Sequence, residues 1–452
     1  MTRQKAAVAR RPSYLFYQTG ARRPLIDRAE GIHIWAEDGR RFIDGASGAM
    51  VSGIGHSNPR VLEAMRQQME RVTFTFRLQF ENEPAEELAR ELVGVLPAHL
   101  DRIFFTSGGS ESVETALKMA RQYAVATGQL TRAKVISLRP SYHGVTLGAL
   151  SVSGYDPLVD PFTPMITSMP KIPAPTAYRD VDDLTMQERG LRYAELLRAE
   201  IEAQGPETVL AFIMEPVGGA STGALVAPDS YYPRIAEICE HYGVLLIYDE
   251  VMSGAGRTGR YLAAQHWGQA PDLVALSKGL GGGYAPLGAI ATSSRLVEPV
   301  MEAGGFQHGF TYAGNPLACA AGRAVLRETV ENDLCANADQ RGTHLLERLD
   351  ALRSRFGFIG DVRGKGLLTG IELVGDGWDV LPPQLNAHQR VAELAYERGL
   401  IVYSKRTRGG YEGDHVMVCP PLIATDDQID EIVDVLTDAL TAFADETGLA
   451  RG

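Results

Sequence analysis

The chain has 452 residues, more than one hydrophobic core ordinarily needs, so two or more domains are expected. With 45% hydrophobic and 22% charged residues it has the composition of a soluble globular protein, and its longest apolar runs (Val209 to Met214, Val244 to Tyr248) are strand-length, far below the roughly 20 residues of a membrane helix. A formal net charge of −12 argues against a nucleic-acid partner, which would require a basic face.

In chain order, residues 1–11 are basic and no apolar run of signal-peptide type follows, so they read as a solvated arm. The run Ile32 to Trp35, followed by Glu37-Asp38-Gly39-Arg40, carries the Asp-Gly signature of a hairpin. From about residue 60 to 330, short apolar runs alternate with helical patterns. The runs are Ile103 to Phe105, Val135 to Leu138, Leu210 to Met214, Val244 to Tyr248 and Leu273 to Leu276. Between the first two, Glu111 to Ala126 places Val113, Leu117, Ala120 and Ala124 on one helical face. This alternation predicts an α/β fold with a mainly parallel central sheet. After residue 330 an amphipathic stretch (Asn337 to Arg355), a strand-like Leu367 to Val374 and helices near 386–398 and 426–443 read as a smaller α+β domain. The expected division is 1–60 joining the small domain, 61–330 as the large domain and 331–452 as the small one.

The chemistry-bearing residues cluster at the C-terminal ends of predicted strands, where open α/β sheets place ligands. After strand 103–105, Thr106-Ser107-Gly108-Gly109-Ser110-Glu111 opens a helix whose unpaired N–H groups suit a phosphate. The same residues also read as an ordinary capped turn, with Ser110 as the cap. Strand 244–248 ends in Asp249-Glu250; a carboxylate there is costly to bury unless it meets a cation or donors, and otherwise it is a loop acid. Strand 273–276 ends in Ser277-Lys278-Gly279, then Gly281-Gly282-Gly283. A lysine so placed is either solvated or, if desolvated, a Schiff-base nucleophile. A phosphate cradle, an acid and an amine on one sheet edge match the three needs of pyridoxal phosphate: an anchor, a partner for the pyridine nitrogen and an amine for the aldehyde.

Gly254-Ala255-Gly256-Arg257-Thr258-Gly259 matches G-x-G-x-x-G literally, but Arg260-Tyr261-Leu262 follows with no helix start, which argues against a dinucleotide site. The four cysteines (239, 319, 335, 419) form no C-x-x-C pair and no His clusters at metal-ligand spacing, so no metal is expected. Free thiols in a reducing compartment, the cytoplasm, are the simplest account.

In order, these segments resemble the class III, or ω-, aminotransferases, a branch of the fold-type I pyridoxal-phosphate enzymes, from about residue 14 to 445. The matching pieces include Ser107-Gly108-Gly109-Ser110-Glu111, Ser141-Tyr142-His143-Gly144, Glu215-Pro216-Val217, Tyr248-Asp249-Glu250-Val251, Gly256-Arg257-Thr258-Gly259, Ser277-Lys278-Gly279 and Thr311 to Pro316. The resemblance implies that Lys278 binds the cofactor as a Schiff base and shuttles the proton at substrate Cα, while Asp249 pairs with the pyridinium. It further implies cofactor contacts from Gly109, Ser110, Tyr142 (stacked on one ring face), His143, Glu215 and Val251 (on the other face). Thr311 would reach the phosphate from the neighbouring subunit of a homodimer.

Two departures bear on substrate. Relatives that use 2-oxoglutarate carry an arginine before the C-terminal Pro-Pro-Leu; here Met417 stands there, and a thioether cannot pair a carboxylate. The amine:pyruvate branch uses a loop arginine instead, for which Arg406 and Arg408 are candidates; both also read as solvated loop charges. Met50 stands where many such relatives carry a Leu-Trp pair, which predicts an adaptable, less aromatic pocket. Glu215 matches a glutamate that, in some relatives, holds the substrate arginine, leaving its partner here undefined. The implied activity is amino transfer from an amine or ω-amino acid to a keto acid, pyruvate, by a ping-pong route, with small-molecule substrates and neither nucleic acid nor membrane as partner. Diaminopelargonate synthase and glutamate-1-semialdehyde-type aminomutase are the alternatives within the family, and a decarboxylase or a non-catalytic binding protein those outside it.

Overall fold

The computed structural model describes residues 13–17, 20 and 22–449; the basic stretch at 1–11 lies outside them. Seven strands make the central sheet, in the spatial order Arg102–Thr106, Gly288–Thr292, Leu273–Leu276, Leu245–Asp249, Val209–Met214, Lys134–Arg139, Lys171–Pro173. Five run parallel in succession, from Leu273–Leu276 to Lys171–Pro173. Gly288–Thr292 runs antiparallel to both its neighbours. That strand was not anticipated: Gly-Ala-Ile-Ala-Thr carries only one large apolar side chain, and its pairing with two buried strands supplies the β-structure that its own propensity does not.

Alternation along the strands explains why both sheet faces are covered. Leu245 and Ile247 join a core with Val113, Ala120 and Ile213 of one face. Leu246 and Tyr248 join another with Phe212, Tyr232 and Ile235. Successive side chains point to opposite faces, so a run such as Val209–Met214, buried at all six positions, is apolar throughout rather than alternating.

Two smaller sheets flank this layer. Ile26–Glu30, His33–Ala36 and Arg41–Asp44 form an antiparallel meander, with the Asp38-Gly39 turn (φ +87° at Gly39) where the hairpin signature placed it. Leu400–Ile401 adds to it in parallel, Leu400 facing Ile43. Ile359–Lys365, Leu368–Leu373, Asp414–Val418 and Tyr403–Lys405 make the other sheet, all antiparallel. The helices Leu334–Ala351, Ala387–Glu397 and Asp426–Thr447 share a core with this part of the chain. No helix among the described residues is long and apolar enough to cross a membrane.

The Gly254 to Gly259 segment is a series of turns with no helix. Its Arg257 is buried and donates to the carbonyls of Leu367 (3.1 Å) and Pro420 (2.5 Å) and to Ser47 Oγ (3.0 Å). The segment therefore ties three distant stretches of chain together. Backbone approaches there are close: a Cβ at Gly366 would lie 2.5 Å from Thr258 C, and one at Gly342 only 2.2 Å from Gly366 O. Inside an ordinary helix Gly→Ala stabilises by about 0.5–1 kcal/mol. At Gly342 the sign should reverse, because the methyl meets backbone rather than a movable side chain. Gly342→Ala is expected to lower stability by about 1–3 kcal/mol, read as a reduced urea midpoint; an increased midpoint would contradict the close approach.

Candidate active site

Four parallel strands deliver their C-terminal ends to one edge of the sheet, and a cavity of about 150 Å³ opens there. Lys278 lines it, two residues beyond the end of Leu273–Leu276. The lysine backbone has φ +45°, a left-handed conformation that a side-chain-bearing residue adopts at a cost of about 1–3 kcal/mol and that is held by its surroundings. Those surroundings are glycines: a Cβ at Gly279 would fall 2.9 Å from Ala255 Cβ. Burial pushes the Lys278 ammonium below its ordinary value, against the opposing pull of Asp249 and Glu215.

On the facing wall the helix Gly109–Ala126 begins, with Gly108 as its N-cap and no capping side chain. Ser110 therefore lies inside the first turn and is not the cap, and the helix presents its N-terminal N–H groups and positive dipole end to the cavity. Ser110 Oγ accepts the Val145 N–H at 3.1 Å, which leaves its own proton to donate. Gly109 and Gly144 are required by crowding: a Cβ at the first would lie 2.9 Å from Val251 Cγ1, at the second 2.5 Å from Ser110 Oγ.

The consecutive acids Asp249 and Glu250 part company because strand neighbours face opposite ways. Asp249 turns to the cavity, where Oδ2 bonds His143 Nδ1 at 2.8 Å and Oδ1 accepts the Val251 N–H at 3.0 Å. Glu250 turns to the other face and takes Ser253 Oγ (2.6 Å) and the N–H groups of Ala263 (3.0 Å) and Ala264 (2.8 Å). Burial raises its pKa to about 7. It holds the short 3₁₀ turn Ala263–His266 and does not line the cavity.

Tyr142, half-buried, and Glu215 complete the pocket with Val251 and Met252. The Glu215 carboxylate accepts the N–H of Gly219 (2.9 Å) and of Tyr142 (3.1 Å), and burial raises its pKa. Met252 and Gly144 are the two lining residues not singled out from sequence. Gly144 stood in a quoted motif, with only its type as a hint; Met252 follows Val251 in a turn, and nothing local marks it.

The remaining candidates lie elsewhere in the single chain. Met50 and Met417 are fully buried in an apolar cluster with Met252, Val217 and Cys419, behind the cavity wall. Arg406 donates to the carbonyls of Tyr411 (2.8 Å) and Pro383 (3.4 Å), and Arg408 to that of Trp378 (2.9 Å); neither lines the cavity. Thr311 is exposed and borders a separate groove of about 710 Å³ with Phe76, Phe104 and Phe310.

An amine, a carboxylate held by an imidazole, an aromatic ring and an open helix N-terminus around one small cavity define a fold-type I pyridoxal-phosphate enzyme. The chain matches the aminotransferase class-III family over residues 17–440 and belongs to it. It is 39% identical to the uncharacterized aminotransferase YodT of Bacillus subtilis, over 93% of this chain and 95% of that one. It is 32% identical to the putrescine–pyruvate aminotransferase of Pseudomonas aeruginosa, over 92% and 90%. Its structure is similar to that of an (S)-enantioselective omega-transaminase from Thermomicrobium roseum, with a TM-score of 0.89, 37% identity and coverage of 95% and 96% of the two chains. The protein is a pyridoxal-phosphate-dependent aminotransferase. The cavity fits that cofactor: a helix end and a hydroxyl proton for its phosphate, Asp249 for a ring nitrogen, Lys278 for the aldehyde.

Proposed function

We propose that the protein moves an amino group from an amine or ω-amino acid to pyruvate by a ping-pong cycle. The single observation that carries this reading is the convergence of Lys278, Asp249, Tyr142 and the helix N-terminus on one cavity. When bound, the cofactor supplies an electron sink at the substrate's Cα and carries nitrogen between the two half-reactions. Gly109 and Ser110 would hold its phosphate, Tyr142 and Val251 would pack against its ring, and Asp249, oriented by His143, would pair with the ring nitrogen. Lys278 would hold the cofactor and, once freed, would serve as the base that moves a proton at the substrate's Cα, a task its burial-lowered pKa suits.

For the acceptor, Met417 offers no charge to a second carboxylate, and a relative is named for pyruvate. Arg406 or Arg408 would meet the pyruvate carboxylate after leaving the carbonyls they now bind. The test is to record the visible band of the cofactor-loaded protein, add amines without any keto acid, and then add pyruvate or 2-oxoglutarate. The expected result is a band shift with donors, reversed by pyruvate. Reversal by 2-oxoglutarate alone would overturn the acceptor. Turnover of a single amino-ketone with no acceptor would favour the aminomutase.

We further propose a cytoplasmic homodimer. The four cysteines are unpaired. Phe74, Phe76, Phe80 and Tyr312 are exposed near Thr311, an apolar surface of the kind that association covers. Thr311 then reaches the partner's phosphate site. Thr311→Ala should weaken cofactor binding about 10- to 100-fold, the worth of one hydrogen bond to a charged group. Mixed with Lys278→Ala, it should yield mixed dimers with one fully intact site, and in those dimers one of the two sites should regain wild-type cofactor affinity. If Thr311 served its own subunit, every site in the mixed dimer would carry one defect. We divide the chain near residues 60 and 330 because, among the described residues, the central sheet draws no strand from outside 102–292.

A further inference from the structure

Arg77 is a cation to which the single chain brings no anion. Among the described residues it forms no ion pair and no hydrogen bond. Its guanidinium lies 4.3 Å over the Phe104 ring, and desolvation lowers its pKa with no carboxylate to raise it. Arg406 and Arg408 differ, because backbone carbonyls already hold them. A guanidinium is permanently charged and planar, and it meets a carboxylate with two parallel N–H groups. The cavity of about 150 Å³ around Lys278 is taken up by the cofactor and no arginine lines it. A carboxylate receptor therefore has to come from outside it.

The fold couples Arg77 to Thr311. Between the helices Pro59–Arg71 and Glu83–Val93 the chain turns, Phe76 O accepting the N–H groups of Gln79 (2.8 Å) and Phe80 (3.1 Å), and Arg77 stands in that turn. Three contacts tie its flanks to the segment after Thr311. Asn315 Nδ2 donates to Thr73 O (3.1 Å), Asn82 Nδ2 donates to Gly314 O (3.0 Å), and the Phe74 and Tyr312 rings meet edge to face at 5.7 Å. Arg77 and Thr311 line one groove. A subunit that carries Thr311 to its partner's phosphate site therefore carries Arg77 with it.

We propose that Arg77 is a substrate-carboxylate receptor delivered in trans: it enters the neighbouring subunit's site and binds the carboxylate of the keto acid there. Each site is then completed by its neighbour for substrate as well as for cofactor. A carboxylate offers about four acceptor positions, so it takes Arg77 together with a loop arginine. This rests on the homodimeric aminotransferase reading and deepens it by naming a residue that selects the acceptor.

The test first shifts the visible band of the cofactor-loaded protein with a donor amine, then measures its return with pyruvate or with pyruvamide, the uncharged amide of the same shape. The wild type should favour pyruvate by about 10- to 100-fold in rate over half-saturation, the range for a hydrogen bond to a charged group. In Arg77→Met that ratio should fall toward one, chiefly through the half-saturation concentration of pyruvate, and Arg77→Lys should recover part of it. Mixed dimers of Arg77→Met with Lys278→Ala should show the wild-type ratio, because their one working site draws Arg77 from the other chain. A ratio unchanged in Arg77→Met overturns the receptor, as does an equal loss with both acceptors, which marks a structural role. A mixed dimer that keeps the low ratio overturns delivery in trans. In all three cases the dimer and the aminotransferase reading stand. A monomeric mass by light scattering for the active protein would instead remove the dimer, and this proposal with it.

Discussion

Lys278→Ala is expected to purify folded, to hold no covalently attached cofactor, and to lose about 10⁴-fold or more in turnover, since both the nucleophile and the proton-transfer base are removed. The side chain projects into a cavity rather than into the core, so its truncation leaves the packing of Leu273–Leu276 untouched. The left-handed backbone at 278 is set by the glycine-rich turn and by the close contact at Gly279, neither of which depends on the amine. Borohydride reduction followed by intact mass should show the cofactor fixed to the wild type and not to the variant. Lys278→Arg should be equally inactive although it keeps a positive charge, because a guanidinium does not release its proton in proteins. Turnover within tenfold of wild type in either variant would overturn the assignment.

Asp249→Asn should cost about 10²- to 10³-fold in turnover, comparable to removing one preorganised electrostatic group from a buried site. The substitution is nearly isosteric and can keep the Val251 N–H bond. It removes the charge opposite the ring nitrogen and the acceptor that orients His143. The loss should appear in the single-turnover rate of the donor half-reaction, with the thermal midpoint shifted by only a few degrees. A loss seen in stability alone, with the half-reaction rate preserved, would make Asp249 structural. Its neighbour Glu250 marks the contrast. One residue further along, it faces the opposite side, and its oxygens are consumed by Ser253, Ala263 and Ala264.

Much of the molecule was readable from residue order. The strand runs that became Val209–Met214 and Leu245–Asp249 are unbroken apolar stretches, because a sheet covered on both faces demands them. The helix Gly109–Ala126 announced itself through Val113, Ala120 and Ala124, all fully buried in one core. The Asp38-Gly39 turn needed only its own chemistry. Gly288–Thr292 was not legible, since a strand of small residues is stabilised by the neighbours it pairs with. The Gly254 to Gly259 motif misleads when read locally: its glycines serve chain crossings with Gly366 and Asp339, and these involve residues far along the chain.

The candidate site divides along the same line. Residue type and position at strand ends were enough to single out Lys278, Asp249 and the Gly109-Ser110 turn, because the chemistry of an amine, an acid and a helix N-terminus is local to each. Which of two adjacent carboxylates enters the cavity is set by strand alternation once the strand's end is known. Met252 entering the wall, Met50 and Met417 withdrawing behind it, and the loop arginines resting on backbone carbonyls are decided by tertiary packing. So is the placement of Glu215, which shares its cavity with Lys278 and, among the described residues, forms no ion pair. A motif can supply the carboxylate, but only the folded chain shows that the N–H groups of Gly219 and Tyr142 meet its oxygens.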